Sequence, residues 1–233
     1  RKKLTVFFSD IKDFTELTDR LEPEVLSSLL NSYLNEMSKI ALKYGGTIDK
    51  FVGDAILIFF GDPETKGEKA DATSCVLMAL EMRERMKFMR QVWEDEGISK
   101  PLNIRIGINT GYCNVGNFGS EDRLDYTIIG GEVNLASRLE SNAPVGQILV
   151  SHETYSLIKS SIKCEEREEI NVKGLAHKVR TYEVIDKIEN NEKGVSKLKD
   201  NYEGFSLSID LEVSRKAEVI ASLKNALTKI QKN

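Results

Sequence analysis

The sequence predicts an α+β fold of the ferredoxin-like type, with the core order βαββαβ and further αβ elements after it. Two observations lead to this prediction. Short apolar or alternating segments, typical of strands, are separated by two long stretches in which apolar residues recur at helical spacing. In addition, the tight-turn pair Gly53-Asp54 lies between two apolar segments and predicts a hairpin. A split βαβ pattern of this kind forms one sheet, and we expect the helices on one face of it.

The first half of the chain supplies a strand, a helix and the hairpin. Residues 4–9 form a short apolar run that ends at Asp10, as in a buried strand. Apolar residues then recur at helical spacing over 22–44, and Pro23 suits the first turn of a helix. The hairpin is predicted over residues 47–60.

The second half continues with a helix and a series of shorter elements. The long helix is predicted over about residues 69–93. Isoleucines alternate with small or polar residues over 103–109, which predicts a strand, and we expect Gly111, Gly116 and Gly119 to interrupt the chain after it. The remaining predictions are a return strand over 124–129, a helix over 133–139, a strand over 147–150, a helix over 152–159 and strands up to about residue 185.

The chain is predicted to divide near residue 185. Residues 186–201 are polar and lysine-rich, which is typical of a linker. A strand over 204–211 and an amphipathic helix over 213–230 are predicted to follow it. We therefore expect one domain over 1–185 and, over 186–233, a linker with a strand and helix extension that packs on the domain or on a partner.

Composition excludes several classes of function. The 233 residues carry a net charge of -4, which argues against a nucleic-acid binder with a basic face. No apolar run approaches the roughly 18 residues of a membrane span. Because the chain begins at Arg1 without a signal peptide or an initiator Met, we expect a fragment of a longer protein, whose membrane anchoring stays open.

The cysteines and histidines do not suggest a metal centre or a disulfide framework. The three cysteines are scattered, so a reducing, cytoplasmic compartment is expected. His152 and His177 are isolated from each other and from the cysteines, and each is expected to be a packing or surface residue.

Two aspartates stand at positions where their side chains could meet. Asp10 ends the first predicted strand, and Asp54 lies at the tip of the hairpin. In a βαββ arrangement these positions converge at one edge of the sheet, and paired carboxylates are typical ligands of Mg²⁺. An aspartate in a turn is also a common turn residue, so the pattern alone leaves both roles open.

Four segments in order decide between these roles. They are FSDIKDFT (8–15), DKFVGDAILIFF (49–60), DYTIIGGEVNLASRLES (125–141) and NVKG (171–174). Together they resemble the catalytic domain of class III adenylyl and guanylyl cyclases, over residues 4 to about 185. The resemblance implies a metal-dependent enzyme that converts a nucleoside triphosphate into a cyclic nucleotide and pyrophosphate.

The resemblance also implies roles for eight residues. Two divalent ions, Mg²⁺ or Mn²⁺, would be held by Asp10, Asp54 and the backbone carbonyl of Ile11. The ribose and the reacting phosphorus would be contacted by Asn134 and Arg138, the terminal phosphates by Lys173, and the purine by Lys50 and Thr127.

The purine contacts favour ATP as the substrate. A lysine offers only donors, so Lys50 suits adenine N1 and would face the N1–H of guanine unpaired. Thr127 offers an oxygen that can accept from the adenine amino group. Guanylyl cyclases of this family carry Glu and Cys at these places, and this chain does not.

A homodimer follows from the same resemblance. In the family the metal aspartates come from one subunit, and the purine, ribose and lysine contacts come from the other. This chain holds both sets, so two copies related by a two-fold axis would form two equivalent sites.

The sequence is also compatible with two other functions. One is a guanylyl or dual-specificity cyclase, since specificity also depends on the shape of the pocket. The other is an inactive nucleotide-binding module for regulation or dimerisation, which the full set of site residues disfavours. A diguanylate cyclase lacks support because Gly130-Gly131-Glu132 is followed by Val and Asn. An RNA-binding sheet would need exposed aromatics and a basic surface.

Overall fold

A computed structural model describes residues 1–98, 102–172, 178–188, 197–202, 205–210 and 216–230. The chain forms two compact units, Arg1–Ile188 and Glu189–Asn233. Within the described residues, no helix combines the length and the apolar character needed to cross a membrane.

The elements of the first unit alternate between strands and helices. They are β1 (Lys2–Ile11), α1 (Phe14–Thr18), α2 (Pro23–Tyr44), β2 (Thr47–Val52), β3 (Ala55–Phe60), α3 (Glu68–Asp95), β4 (Ile104–Ser120), β5 (Arg123–Ile129), α4 (Gly131–Asn142), β6 (Ile148–Ser151), α5 (His152–Ile158), β7 (Ile162–Ile170) and β8 (Val179–Lys187). The second unit contains β9 (Lys197–Tyr202), β10 (Phe205–Asp210) and α6 (Lys216–Ile230). The predicted core order βαββαβ is present as β1, α2, β2, β3, α3 and β4.

The first unit is built on one sheet with the strand order β2-β3-β1-β4-β6-β8-β7, and β5 pairs with the far end of β4. The central strand β1 lies antiparallel to both β3 and β4, so that Phe8 is opposite Leu57 on one side and Gly107 on the other. The end of β1 therefore lies beside the beginning of β3, next to the hairpin turn at Gly53-Asp54.

The two faces of the sheet have different coverings. Phe7, Ile58 and Ile106 point to one face, where they form the main core with residues of α2 and α3. Phe8 and its two partners in register, Leu57 and Gly107, lie on the opposite face. We call this second face, which also carries Asp10, the open face.

Helix α4 lies on the open face, over β4. A side chain at Gly107 would place a Cβ 2.2 Å from the Ala136 carbonyl oxygen and 2.2 Å from the Glu140 backbone nitrogen. Only glycine permits this approach of backbone to backbone. The buried positions Leu135 and Leu139 of α4 follow helical spacing and pack beside β6 and the end of β7.

The predicted long helices are present at the expected places. Helix α2 begins at Pro23 and ends where Gly45 adopts the left-handed φ of 83°. Its buried residues Leu29, Tyr33 and Met37 recur every four residues. That period explains why the helix could be predicted from the sequence.

Four features differ from the sequence prediction. The helices were expected on one face of the sheet, but α4 lies on the open face because Gly107 lets its backbone approach β4. Strand β4 does not stop at its glycines but continues to Ser120 and forms a ribbon with β5. At Gly119 a Cβ would lie 2.0 Å from the Arg123 carbonyl oxygen, so this glycine permits the ribbon instead of interrupting it. Helix α1 was not predicted. Strand β9 overlaps the segment predicted as a linker and pairs antiparallel with β10. This pairing is made by backbone hydrogen bonds, which the composition of the segment does not reveal.

Candidate active site

The structure brings the two predicted metal aspartates together at one end of the open face. Asp10 is the last residue but one of β1, and Asp54 occupies the turn that leads into β3. The Asp54 carboxylate accepts a hydrogen bond of 3.1 Å from the backbone N–H of Ile11, which fixes the turn against the end of β1. We call Asp10 and Asp54 the carboxylate pair.

The carboxylate pair carries more negative charge than its surroundings neutralise. Burial, together with the hydrogen bond and the charge of Asp10, raises the pKa of Asp54 to about 7. Among the described residues, no group of three or more His, Cys, Asp or Glu side chains could enclose a metal ion. Two carboxylates that leave most positions to other oxygens fit Mg²⁺, which usually keeps water and substrate phosphates as ligands.

A partly buried ion pair lies beside the carboxylate pair. Arg105 of β4 is opposite Asp10 in the register, and its guanidinium is 3.6 Å from the Asp10 carboxylate. The same guanidinium is 2.8 Å from Glu140 of α4, whose side chain is only 4% exposed. Burial raises the pKa of Glu140, and the charge of Arg105 opposes that effect. Sequence reasoning missed both residues, because only the pairing of β1 with β4 brings Arg105 to Asp10.

A second cluster joins the two predicted purine contacts. Lys50 lies on β2 opposite Leu57, and its ammonium donates a hydrogen bond of 2.9 Å to the hydroxyl of Thr127 on β5. The two residues are 77 positions apart in the chain, and the fold of the β4–β5 ribbon over β2 brings them together. Their predicted role towards a purine stays a prediction.

Asp49 completes this second cluster and was not among the predicted site residues. Its side chain is 1% exposed and lies 3.1 Å from the Lys50 ammonium. It accepts hydrogen bonds from the Thr127 hydroxyl at 2.7 and 2.9 Å and from the Ile128 backbone N–H at 3.1 Å. The pairing of β2 with β3 shifts between Ile48 and Lys50, so Asp49 is the extra residue of a bulge. We call Asp49, Lys50 and Thr127 the lysine cluster.

The remaining predicted residues lie apart from both clusters. Asn134 and Arg138 are exposed and one turn apart on α4. Within the part of the chain that the structure describes, no hydrogen bond or ion pair joins either side chain to the carboxylate pair or the lysine cluster. Lys173 lies outside the described residues, and so does His177.

Large apolar side chains are exposed around the lysine cluster. They belong to the end of β2 and to β5, the two strands that carry Lys50 and Thr127, and we call them the apolar rim: Phe51, Val52, Leu124, Tyr126 and Ile129. Groups of large exposed apolar side chains next to charged residues are typical of a protein–protein contact.

Comparisons with known proteins agree on one family. Residues 1–186 match the family described as "Adenylate and Guanylate cyclase catalytic domain". The chain is 36% identical over 204 residues to the terminal-differentiation specific adenylate cyclase of Dictyostelium discoideum, across 85% of this chain.

Two solved structures share the fold closely. The adenylyl cyclase CyaB from P. aeruginosa is 65% identical and has a TM-score of 0.78, over 79% of this chain and 94% of that one. The guanylate cyclase domain of RhGC from Catenaria anguillulae, solved in complex with GTP, is 32% identical with a TM-score of 0.72, over 80% and 97%. The curated relatives are much longer: the chain covers 9% of the Dictyostelium protein and 28% of adenylate cyclase 1 from Rhizobium meliloti.

Proposed function

The chain belongs to the adenylate and guanylate cyclase catalytic domain family, and we propose that it converts ATP into 3′,5′-cyclic AMP and pyrophosphate. One observation carries the proposal: Asp10 and Asp54 converge at the end of β1, where their negative charge is incompletely neutralised. The 65% identity to a protein described as an adenylyl cyclase supports the choice of product.

The carboxylate pair and the Ile11 carbonyl are the groups that would hold Mg²⁺ or Mn²⁺, two ions per site. When bound, such ions lower the pKa of the attacking hydroxyl and neutralise charge on the phosphates. The protein must hold Asp54 in position for these ions, and the hydrogen bond from the Ile11 N–H to the Asp54 carboxylate does so. Asp10, Ile11 and Asp54 therefore offer their oxygens at one place, the end of β1.

The exposed face of α4 supplies the groups for the reacting phosphate. In the reaction the ribose 3′ oxygen bonds to the α-phosphorus, the bond from that phosphorus to the pyrophosphate oxygen breaks, and the hydroxyl proton is released. The guanidinium of Arg138 offers fixed donors to the charge that builds on the α-phosphate. Asn134, one turn earlier on the same exposed face, would orient the ribose. Lys173 is proposed for the terminal phosphates on the resemblance alone.

The lysine cluster would choose the base. Lys50 presents donors to adenine N1, and Thr127 presents an oxygen to the adenine amino group. Guanine reverses both polarities, so it would leave buried polar groups unpaired, and such mismatches discriminate strongly between substrates. ATP is therefore the proposed substrate over GTP.

Two copies of the chain would share each site. The apolar rim beside Lys50 and Thr127 is a surface that a second copy could cover, and a two-fold pair would place the same rim on both partners. The carboxylate pair of one copy would then meet the lysine cluster and the α4 residues of the other.

We assign the activity to residues 1–185 and treat 186–233 as an extension of that domain. The cysteines Cys75, Cys113 and Cys164 are all free thiols. Free thiols and an ATP substrate support a reducing, cytoplasmic environment for the domain.

Product analysis tests the proposal. The purified chain is incubated at high concentration with Mn²⁺ and either ATP or GTP, and the nucleotides are separated chromatographically. We expect cyclic AMP from ATP, loss of the product in Asp54→Asn, and retention of the product in the control Asp13→Asn, which changes an exposed aspartate at the same end of the sheet.

Two outcomes would overturn it. Cyclic GMP as the main product would reverse the base choice. No cyclic product from either nucleotide, with a dimer confirmed in solution, would indicate an inactive nucleotide-binding module.

A further inference from the structure

The hydroxyl of Thr127 does not by itself distinguish adenine from guanine. A threonine hydroxyl has one proton to donate and two lone pairs that accept, and it rotates to suit its partner. It could therefore accept from the adenine amino group or, after rotation, donate to guanine O6. Some other group must fix its direction if this position is to select one base.

The contacts of Thr127 fix that direction. Lys50 can only donate, so in their 2.9 Å hydrogen bond the Thr127 oxygen is the acceptor. An ionised Asp49 can only accept, so the single proton of Thr127 must point to the Asp49 carboxylate, at 2.7 and 2.9 Å. The hydroxyl then has no proton left for a ligand and can present only a lone pair.

Asp49 is well placed for this task because its own geometry is fixed. Its side chain is 1% exposed and accepts from the backbone N–H of Ile128, the residue after Thr127. The bulge in β2 gives the strand one residue more than its partner at this place, so Asp49 and the neighbouring Lys50 both reach Thr127.

We propose that Asp49 is a positioning residue that selects adenine over guanine by holding the Thr127 hydroxyl as a hydrogen-bond acceptor. This inference rests on the proposed cyclase activity and adds a group that does not itself touch the base. Lys50 and Thr127 then present a donor beside an acceptor, which complements N1 and the amino group of adenine and opposes N1–H and O6 of guanine.

The competing interpretation gives Asp49 a purely structural role. Its bond to Ile128 N–H anchors β5, and any anchor would affect both nucleotides alike. Asp62 provides a matched control: it is 4% exposed and accepts from the hydroxyl of Tyr126, the residue before Thr127. Asp62→Asn therefore makes the same chemical change against the same strand without touching Thr127.

The decisive measurement is kcat/KM for ATP and for GTP in wild type, Asp49→Asn and Asp62→Asn. An amide at position 49 can donate to the Thr127 oxygen and so release its proton towards the base. We expect the ATP-to-GTP ratio to fall by about tenfold or more in Asp49→Asn, the size of one mispaired buried hydrogen bond. In Asp62→Asn the ratio should stay within about twofold of wild type.

Binding of 3′-deoxy-ATP and 3′-deoxy-GTP, which cannot cyclise, separates recognition from turnover and should show the same change in ratio. In a Thr127→Val background, Asp49→Asn should leave the ratio unaltered, because the hydroxyl it directs is gone. If Asp49→Asn does not fold, Thr127→Ser replaces it and should keep the wild-type ratio, since Asp49 would direct the serine hydroxyl as well.

The inference would be overturned if the ATP-to-GTP ratio were unchanged in folded Asp49→Asn or fell in Thr127→Ser. Formation of cyclic AMP by the wild type would still support the proposed function. No cyclic nucleotide from the wild type would overturn the proposed function itself.

Discussion

The carboxylate pair and the lysine cluster differ in their balance of charge. Asp10 and Asp54 lie near a single guanidinium, that of Arg105, which also pairs with Glu140. In the lysine cluster one ammonium pairs with one carboxylate. The pKa of Asp54 is raised to about 7 by burial and by Asp10, so this region resists full ionisation. In the lysine cluster the Asp49 carboxylate receives hydrogen bonds from a hydroxyl and a backbone N–H and lies against Lys50.

The difference shows how one face can serve two kinds of ligand. A region with uncompensated negative charge is stabilised when cations bind, because the bound cations neutralise that charge. A region whose charges are already balanced offers fixed donors and acceptors, which suit a neutral base. Substitutions that remove one charge should therefore have opposite effects on stability in the two regions.

The largest expected effect is on turnover in Asp54→Asn. Removal of a metal-holding carboxylate should lower kcat by about 10³-fold or more, since ions of this kind supply several kcal/mol of stabilisation to the transition state. Without metal, the variant should be at least as stable as wild type by thermal unfolding, because a repelling charge is gone. Marked destabilisation of the variant would show that the Asp54 carboxylate stabilises the metal-free fold and is not repelled by Asp10.

The next effect is expected in Lys50→Met. Loss of its donor should lower kcat/KM for ATP by about 10- to 100-fold, the range of a hydrogen bond to a charged group. The free energy of unfolding should fall by about 1–2 kcal/mol, because Asp49 stays buried without its cation; the fall is limited because Lys50 is partly exposed.

Lys39→Met serves as the control for that stability loss. Lys39 pairs with Glu36 on the surface of α2, and its replacement should change stability by less than about 0.5 kcal/mol. Equal losses of unfolding free energy in Lys50→Met and Lys39→Met would show that the ion pair of the lysine cluster stabilises the fold no more than a surface ion pair does.

The smallest effect is the pH dependence of the metal-free protein. An unfolded aspartate titrates near 3.9, whereas the pKa of folded Asp54 is about 7. The folded state therefore holds a proton that the unfolded state releases, and stability should be lost as the pH rises from about 4 to about 7. Partial exposure limits the loss to about 1–2 kcal/mol.

Urea unfolding across this pH range measures that loss. Asp54→Asn should flatten the profile, and saturating Mn²⁺ should restore stability to the wild type near pH 8 but not to the variant. A wild-type profile that is equally flat without metal would contradict the account of the carboxylate pair.

Much of the fold could be predicted because its signals are local. The period of buried residues in α2 and the Gly53-Asp54 turn both lie within one segment of the chain. The continuation of β4 past its glycines could not be predicted, because the close approach of Arg123 to Gly119 depends on strand pairing. Helix α1 spans only Phe14–Thr18, too short for a periodic pattern.

The site residues also fall into those that could be predicted from the sequence and those that depend on strand pairing. Family resemblance supplied Lys50 and Thr127, and the structure joins them by a hydrogen bond. Asp49 was not predicted as a site residue, because its contact with Thr127 depends on a bulge in β2 that the residue pattern does not predict. Arg105 reaches Asp10 only through the register of β1 with β4.

The most direct test of the shared site mixes two chains that are each impaired by one substitution, with ATP held below the KM of Lys50→Met. Asp54→Asn removes a carboxylate from one region and Lys50→Met a cation from the other, so a mixed dimer combines both lesions in one site and leaves the second site intact. With complete exchange of equal amounts, cyclic AMP formation should recover to about a quarter of wild type, since half the dimers are mixed and each has one working site. A mixture of Asp54→Asn with Asp10→Asn, two lesions of the same region, should not recover. Absence of recovery in the first mixture, with subunit exchange demonstrated, would show that the carboxylate pair and the lysine cluster of different subunits do not form one site.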